Sequence, residues 1–469
     1  MRWSEAAKPV PMQRVAIIAP REALRETLVR LADAGCVEID RSGGGSRQGE
    51  RGPAARRLQR LRAEPPRAAL SAAPPDLDAL EREGHADLLA GEAQLEEHFV
   101  SAVRRGNVVA LAGWCPAAQV PATAARLVDL GGVLVPLALP RGVDPPTLLR
   151  SSGPVHRSFT PLVRTYGTVP YVDVDPTWPA GIAYVVMFGM MFGDAGHGAL
   201  LLLMALLLRS GRPRRLVQLR AMWPFVAGAG GTSMAFGFAY GEFFGPTKVL
   251  PVLWVAPLDH PQRLLTAAVA VGVVLLALAY VAGIVNRWRE GGPARALYAI
   301  SGVAGSALFL GMAGLATGGY LHHTLLTLTG AVIAAGGLVL AASGLFAASG
   351  GGVSGAMQTT IQLFDAVVRI FSNTVSFARL AAFGLTHAAL GDIVWGGTTA
   401  LAHAGPGGLI GAAAVFTVGN ALAFSLEALV AGVQALRLEF YELFSRVFET
   451  WGRPFRPWHV STQRTEVAP

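Results

Sequence analysis

Residues 361–401 read IQLFDAVVRIFSNTVSFARLAAFGLTHAALGDIVWGGTTAL, an apolar run that carries ionisable side chains deep inside it. As one helix this run would extend about 60 Å, against a hydrocarbon core of ~30 Å, so it must tilt strongly, protrude, or both. Asp365, Arg369, Arg379 and His387 lie within it. The run 407–448 has the same character and holds Glu427, Arg437 and Glu439. A charge at mid-bilayer costs at least ~2.5–3.5 kcal/mol and usually faces a bundle interior, a wet cavity or a partner charge. Arg379, between Phe377-Ala378 and Leu380-Ala381, is too far from either end of its run to snorkel easily.

Outward from these two segments, six shorter apolar runs precede them, at 180–192, 196–209, 221–241, 264–286, 296–318 and 323–347. The first two could be one tilted helix, but Gly193-Asp194-Ala195-Gly196-His197-Gly198 between them favours a break. The chain is 52% hydrophobic and only 15% charged, on the apolar side of a soluble protein. Arg209, Arg212, Arg214, Arg215 and Arg220 follow the second run, and Arg287, Arg289 and Arg295 follow the fourth. The loops at 319–323 and 402–406, on the opposite face, carry no Lys or Arg. The positive-inside rule then puts both termini in the cytoplasm, which an even number of crossings requires. The predicted fold is a membrane all-α bundle of eight transmembrane helices, the last two long and tilted, plus a small N-terminal α+β cytoplasmic domain. The expected divisions are a cytoplasmic arm at 1–143, with 41–85 linker-like, and a connector at 144–179. A six-helix region at 180–347, two long helices at 348–450 and a tail at 451–469 complete them.

In the arm, Val15–Ala19 reads as a strand, Glu22–Ala34 as a helix and Val37–Ile39 as a second strand. A helix at 86–105, a strand at 107–113, a helix at 121–130 and a strand at 133–137 repeat the theme. The net charge of +8 invites a nucleic-acid reading, which is rejected because the arginines flank apolar spans rather than form a soluble stripe. Cys36 and Cys115 are the only cysteines, read as free buried thiols and too few for a cysteine-based metal site. No secretory signal is expected, the apolar run 14–20 being too short for one.

On ideal helices, Asp365 lies 14 residues before Arg379 and within ~40° of its face, while His387 follows by eight residues within ~80°. Glu427 precedes Arg437 by ten residues and is expected at the depth of His387. Polar groups on both sides of a central arginine suit two offset half-channels. The guanidinium would block a direct leak and favour proton release from a passing carboxylate. Asp194 and His197, at i and i+3, could hold a metal, but with no third ligand nearby a hydrogen-bonded break is preferred. Glu242, in Tyr240-Gly-Glu-Phe-Phe-Gly245, is read as part of a turn with an interfacial aromatic anchor. No phosphate-binding GxxxxGK[ST] loop or HExxH motif occurs, so no cofactor or metal is expected and any nucleotide hydrolysis belongs to a partner. A secondary transporter of an anionic substrate would show repeated, broken helices. A non-conducting stalk anchor is the other alternative.

Several stretches together resemble the large membrane stator subunit of V-type and A-type ATPases, called subunit a or subunit I. They are 166–171 (YGTVPY), 188–198 (FGMMFGDAGHG), 240–245 (YGEFFG), Ser372 to Leu390 around Arg379, and Glu427 to Glu442. The segments 14–39 and 108–116 are similar to that family's cytoplasmic arm. The resemblance implies that Arg379 is the essential arginine beside a ring of proteolipid subunits and Arg437 the second arginine on the last helix. It implies that His387 and Glu427 belong to the extracytoplasmic half-channel and Asp365 to the cytoplasmic one. The implied partners are the proteolipid c-ring, peripheral stalk subunits, the central-stalk cap subunit d/C, the lipid bilayer and, indirectly, the soluble ATPase head. The implied location is a bacterial or archaeal plasma membrane.

Overall fold

The computed structural model describes residues 9–39, 53–54, 75–139, 142–150, 153–211 and 219–458. Much of the expected 41–85 linker, the arginines Arg212, Arg214 and Arg215, and the tail beyond 458 lie outside the described residues. The chain divides into two compact units, one built from Pro9–Leu149 with Gly452 onward, the other from Arg150–Trp451.

The first unit is an antiparallel sheet backed by helices. Its elements are β1 (Met12–Pro20), α1 (Leu24–Ala34), β2 (Glu38–Ile39), α2 (Leu77–Arg82), α3 (Ala86–Ser101), β3 (Val103–Arg105), β4 (Val108–Pro116), α4 (Val120–Ala125) and β5 (Val133–Pro136). The strand order is β2-β4-β1-β5, with β3 also on β4. Alternation sets the faces: Val15, Ile17 and Ala19 of β1 and Val109 and Leu111 of β4 point inward, where Leu24, Leu28, Leu31 and Leu95 meet them. Each such Leu contributes ~1.5–3 kcal/mol by leaving water. Arg25 grips Glu92 with two hydrogen bonds of 2.8 and 2.5 Å, tying α1 to α3. Two readings change. The helix expected at 86–105 stops at Ser101, because Val103–Arg105 turns back onto β4 as an edge strand, and part of the 41–85 segment is helix α2, capped by Asp76. Residues 452–458 belong to this same unit, through Thr147–Arg453, Phe455–Thr147 and Trp458–Val37 backbone bonds.

The second unit is helical. It runs α5 (Gly153–Tyr166), α6 (Thr177–Met191), α7 (Ala195–Ser210), α8 (Trp223–Tyr240), α9 (Pro261–Tyr298), α10 (Val303–Tyr320), α11 (Thr324–Ala348), α12 (Gly352–Ser376), α13 (Ala378–Ala402) and α14 (Pro406–Leu438). A π-helical turn, Glu439–Phe444, and the short α15 (Ser445–Val447) continue α14. Among the described residues, five helical stretches are long and apolar enough to cross a membrane: 261–298, 303–320, 324–348, 352–402 and 407–447. α6 and α7 are shorter apolar helices. At 15 and 16 residues they rise only about 23 Å each. The chain is therefore a multi-helix membrane protein with a small sheet near its N-terminus.

Local chemistry explains the breaks. α7 starts at Asp194, whose side chain accepts from the His197 N–H. The expected fifth run, 296–318, begins instead at Val303, because α9 continues past a kink at Gly291-Gly292 to Tyr298. The connector expected at 144–179 contains helix α5, whose Pro154 falls in the first turn, where no N–H is needed. Gly350, Gly351 and Gly352 all have positive φ and reverse the chain before α12, nine residues ahead of the expected start. Helices then approach closely over glycine: a Cβ on Gly237 of α8 would sit 2.1 Å from the Ala195 nitrogen of α7.

Candidate functional site

The 361–401 run is not one straight helix. Phe377 forms a tight turn between α12 and α13, with i→i+3 bonds from Phe377 N–H to the Thr374 carbonyl and from Leu380 N–H to the Phe377 carbonyl. Its ring is fully buried on Gly272 of α9, where a methyl group would lie 2.3 Å from Phe377 Cγ. The ideal-helix relation expected between Asp365 and Arg379 therefore does not apply across this turn.

Arg379 starts α13 immediately after it. Its Nη2 donates to Ser376 Oγ at 3.2 Å, while the buried Nη1 has no hydrogen-bond partner. Among the described residues neither Arg379 nor Arg437 forms an ion pair. Arg379 lines a cleft of about 600 Å³ with Pro261, Gln262, Ser372, Ser376 and Ala382. Arg437, near the end of α14, is exposed. Just beyond it the helix widens into the π turn, which buries Glu439 and Glu442. Glu442 is near enough to Arg379 and Arg437 for both charges to act on it. Its apolar neighbours Tyr441 and Leu443 gave no signal that Glu442 would turn inward.

Asp365 is exposed and paired with Arg369 one turn later. It opens onto a cleft of about 490 Å³ whose walls include Arg287, Arg369, Arg446 and Glu449. Arg446, which the sequence reading did not single out, is buried with its guanidinium 5.5 Å from the Tyr280 ring centre.

On the other side of Arg379, about 12 Å along α13, His387 Nδ1 is hydrogen-bonded to the Glu427 carboxylate of α14. His387 is buried and Glu427 nearly so, and Glu427 Oε1 has no hydrogen-bond partner among the described residues. Phe192, Phe244 and Phe424 surround the neighbouring His197 ring, with centroids 5.6, 5.3 and 5.6 Å away. His197 and His387 meet edge to face at 5.6 Å. The absence of a third ligand near Asp194 and His197, expected from the sequence, is corrected here: His387 joins them, the three ligand atoms lying within 4.8 Å of one another. The meeting joins residues of α7 and α13, a tertiary contact that spacing along the chain does not encode. Asp392, exposed one turn beyond His387, was also overlooked.

Asp194 is a backbone clamp. Oδ1 accepts from His197 N–H at 2.8 Å and Phe244 N–H at 3.0 Å, and Oδ2 accepts from Gly245 N–H at 2.8 Å. It thus caps α7 and fixes the 240–245 turn, in which Gly241, Phe244 and Gly245 all adopt positive φ. The turn is there, and of its aromatics Phe243 is exposed while Tyr240 is not. Tyr240 is buried and donates to the Met190 carbonyl at 3.2 Å. Glu242, in the same turn, is buried near His387, Asp194 and Glu427.

The V-type ATPase 116kDa subunit family matches residues 98–228. The chain is 29% identical over 394 residues to the A-type ATP synthase subunit I of Halobacterium salinarum, covering 69% of this chain and 52% of that protein. It is 26% identical over 422 residues to the A-type ATP synthase subunit I of Aeropyrum pernix, covering 79% and 60%. Over 100 residues it is 33% identical to the V-type proton ATPase subunit a of Neurospora crassa, covering 20% and 12%. The chain spans about half the length of the curated relatives it matches.

Proposed function

We propose that the chain, which is similar to A-type ATP synthase subunit I proteins and to the V-type ATPase 116kDa subunit family, is the ion-conducting stator subunit of a rotary ATPase or ATP synthase. In this reading α6 to α14 make eight crossings, with α12 and α13 counted as one and both termini in the cytoplasm of a bacterial or archaeal cell. α6, α7, α8 and α10 are each shorter than ~30 Å, so their ends must be covered by neighbouring helices or by a locally thinned bilayer.

Arg379 faces an acidic carrier on a ring of proteolipid subunits. The observation that carries this is its unspent charge: an intramembrane guanidinium bonded to one hydroxyl, with a buried nitrogen free, beside an open cleft. Leaving that nitrogen unsatisfied costs ~1–3 kcal/mol or more, a cost an arriving carboxylate removes. The cation favours the ionised carrier and releases its ion. His387 and Glu427 form the far-side half-channel, handing a proton along their hydrogen bond, and Asp365 marks the cytoplasmic one. Arg437 supplies a second positive charge on the ring-facing side. Nucleotide hydrolysis, peripheral stalks and the central-stalk cap belong to partner subunits.

The test is Arg379→Ala in the assembled complex, reconstituted in vesicles. ATP-driven ion pumping is expected to vanish while subunits still co-purify. Normal coupled transport in that variant refutes the reading.

A further inference from the structure

His197 is the polar side chain that the proposed ion path leaves without a task. It is 3% exposed, and neither ring nitrogen has a hydrogen-bond partner among the described residues. A buried imidazole with unmet donors and acceptors is costly unless something else satisfies it. Its Nδ1 lies 3.9 Å from Asp194 Oδ1. His387 stands edge-on beside it, and the three residues offer ligand atoms within 4.8 Å of one another.

We propose that Asp194, His197 and His387 form a binding site for a divalent transition-metal ion of the zinc class. Four observations fit together. Two imidazoles with one carboxylate are a donor set that suits zinc and disfavours magnesium or calcium, which want oxygen alone. His387 already spends Nδ1 on the Glu427 carboxylate, which is how metal-bound histidines are normally oriented, and this leaves Nε2 for the ion. Asp194 Oδ1 accepts two backbone N–H groups and Oδ2 one, so of the roughly four lone-pair positions of the carboxylate the one that remains for an ion is on Oδ2. The rings of Phe192, Phe244 and Phe424 line the His197 side and keep bulk water away.

Charge also balances. Asp194 and Glu427 offset a dication, and Glu242 is close enough to interact with both. Metal–ligand bonds of ~2.0–2.2 Å put tetrahedral ligand atoms roughly 3.3–3.6 Å apart. The ligand atoms, within 4.8 Å of one another, would therefore have to close by up to about 1.5 Å on binding. Three protein ligands leave a fourth position for water. Occupying His387 Nε2 puts the ion on the proposed far-side half-channel, so zinc should block transport. That consequence rests on the ion-path reading, whereas binding does not.

The experiment titrates the full chain in detergent with ZnCl2, followed by competition with a zinc-sensitive dye, and repeats it with CoCl2 followed by visible absorption. The wild type is expected to bind one buried ion and to give the intense bands of four-coordinate cobalt. His197→Ala and His387→Gln should each weaken zinc binding at least tenfold and abolish those bands. Glu427→Gln, which removes only the orienting carboxylate, should weaken it about 10–100-fold. Absence of the cobalt bands, or zinc affinity unchanged in both histidine variants, overturns the site. In reconstituted complexes, His197→Ala should need at least tenfold more zinc for the same inhibition of ion flux. Zinc that binds through these histidines without slowing flux upholds the metal site and sinks the role of His387 in the ion path.

Discussion

Asp173, just before α6, carries a testable pH dependence. It is fully buried between the helical segments, and neither carboxylate oxygen has a hydrogen-bond partner among the described residues. Burial raises its pKa from 3.8 to about 7, the facing Glu290 carboxylate adds to the rise, and the Arg287 and Arg289 charges oppose it. A folded-state pKa above the unfolded value means that the native state holds the proton more tightly. Stability from this group is full below about pH 4 and is lost progressively as pH rises to about 7. At ~1.4 kcal/mol per unit, a rise of about three units sets a ceiling of ~4 kcal/mol. Asp173→Asn removes the titration while its amide can donate to Glu290. The variant should be more stable than the wild type by ~2–4 kcal/mol at about pH 8 and indistinguishable at about pH 4. Thermal unfolding of the detergent-solubilised chain, followed by tryptophan fluorescence across that range, measures the gap. A gap that is constant with pH, or that widens toward acid, would refute the reasoning.

Two further outcomes follow from the packing around the site. Asp194→Asn keeps one acceptor oxygen and points an amide at a backbone N–H, so it should cost ~1–3 kcal/mol, and Asp194→Ala, which frees all three donors, at least ~3 kcal/mol; equal melting temperatures for wild type and both variants would mean the clamp stabilises nothing. Gly272→Ala drives a methyl group into the fully buried Phe377 ring and should cost ~1–3 kcal/mol. Because the Phe377 turn sets the position of Arg379, coupled transport in assembled vesicles should fall in this variant while Gly336→Ala, where no atom lies within 4 Å of the added carbon, leaves it unchanged; matching transport rates would uncouple the turn from the arginine.

What could be read from the chain and what could not divide along the range of the interactions. Long apolar runs, the glycine-rich break before His197 and the arginine in the middle of 361–401 are local signals; most helices fall within a few residues of the runs that announced them, but α9 runs twelve residues past its run, α10 starts seven residues late and α12 nine residues early. α5 was hidden because its prolines read as breakers, although Pro154 falls where a helix needs no N–H. β3 was hidden because three exposed residues of Val and Arg carry no alternation. The Phe377 turn was invisible for a different reason: nothing in the sequence around it breaks a helix, and the turn accompanies a ring buried against a glycine more than 100 residues earlier.

That distinction bears on how the site works. Both arginines of the proposed ion path stand next to a departure from α-helical geometry, Arg379 just after the tight turn at Phe377 and Arg437 just before the π turn at Glu439–Phe444. Tightening one helix and widening the other changes which side chains face inward. The π turn brings Glu439 and Glu442 under cover, and the tight turn places Ser376 where it can accept from Arg379. A regular helix would hold its charges at fixed 100° steps, with no freedom to aim a guanidinium independently of the packing face. Two local irregularities, each held by buried aromatic rings, keep Phe377 and Phe444 in the core while, among the described residues, Arg379 and Arg437 form no ion pair. On the proposed ion path, an arginine neutralised by its own bundle could not exchange partners with a passing carrier, and the irregular backbone would keep both charges available.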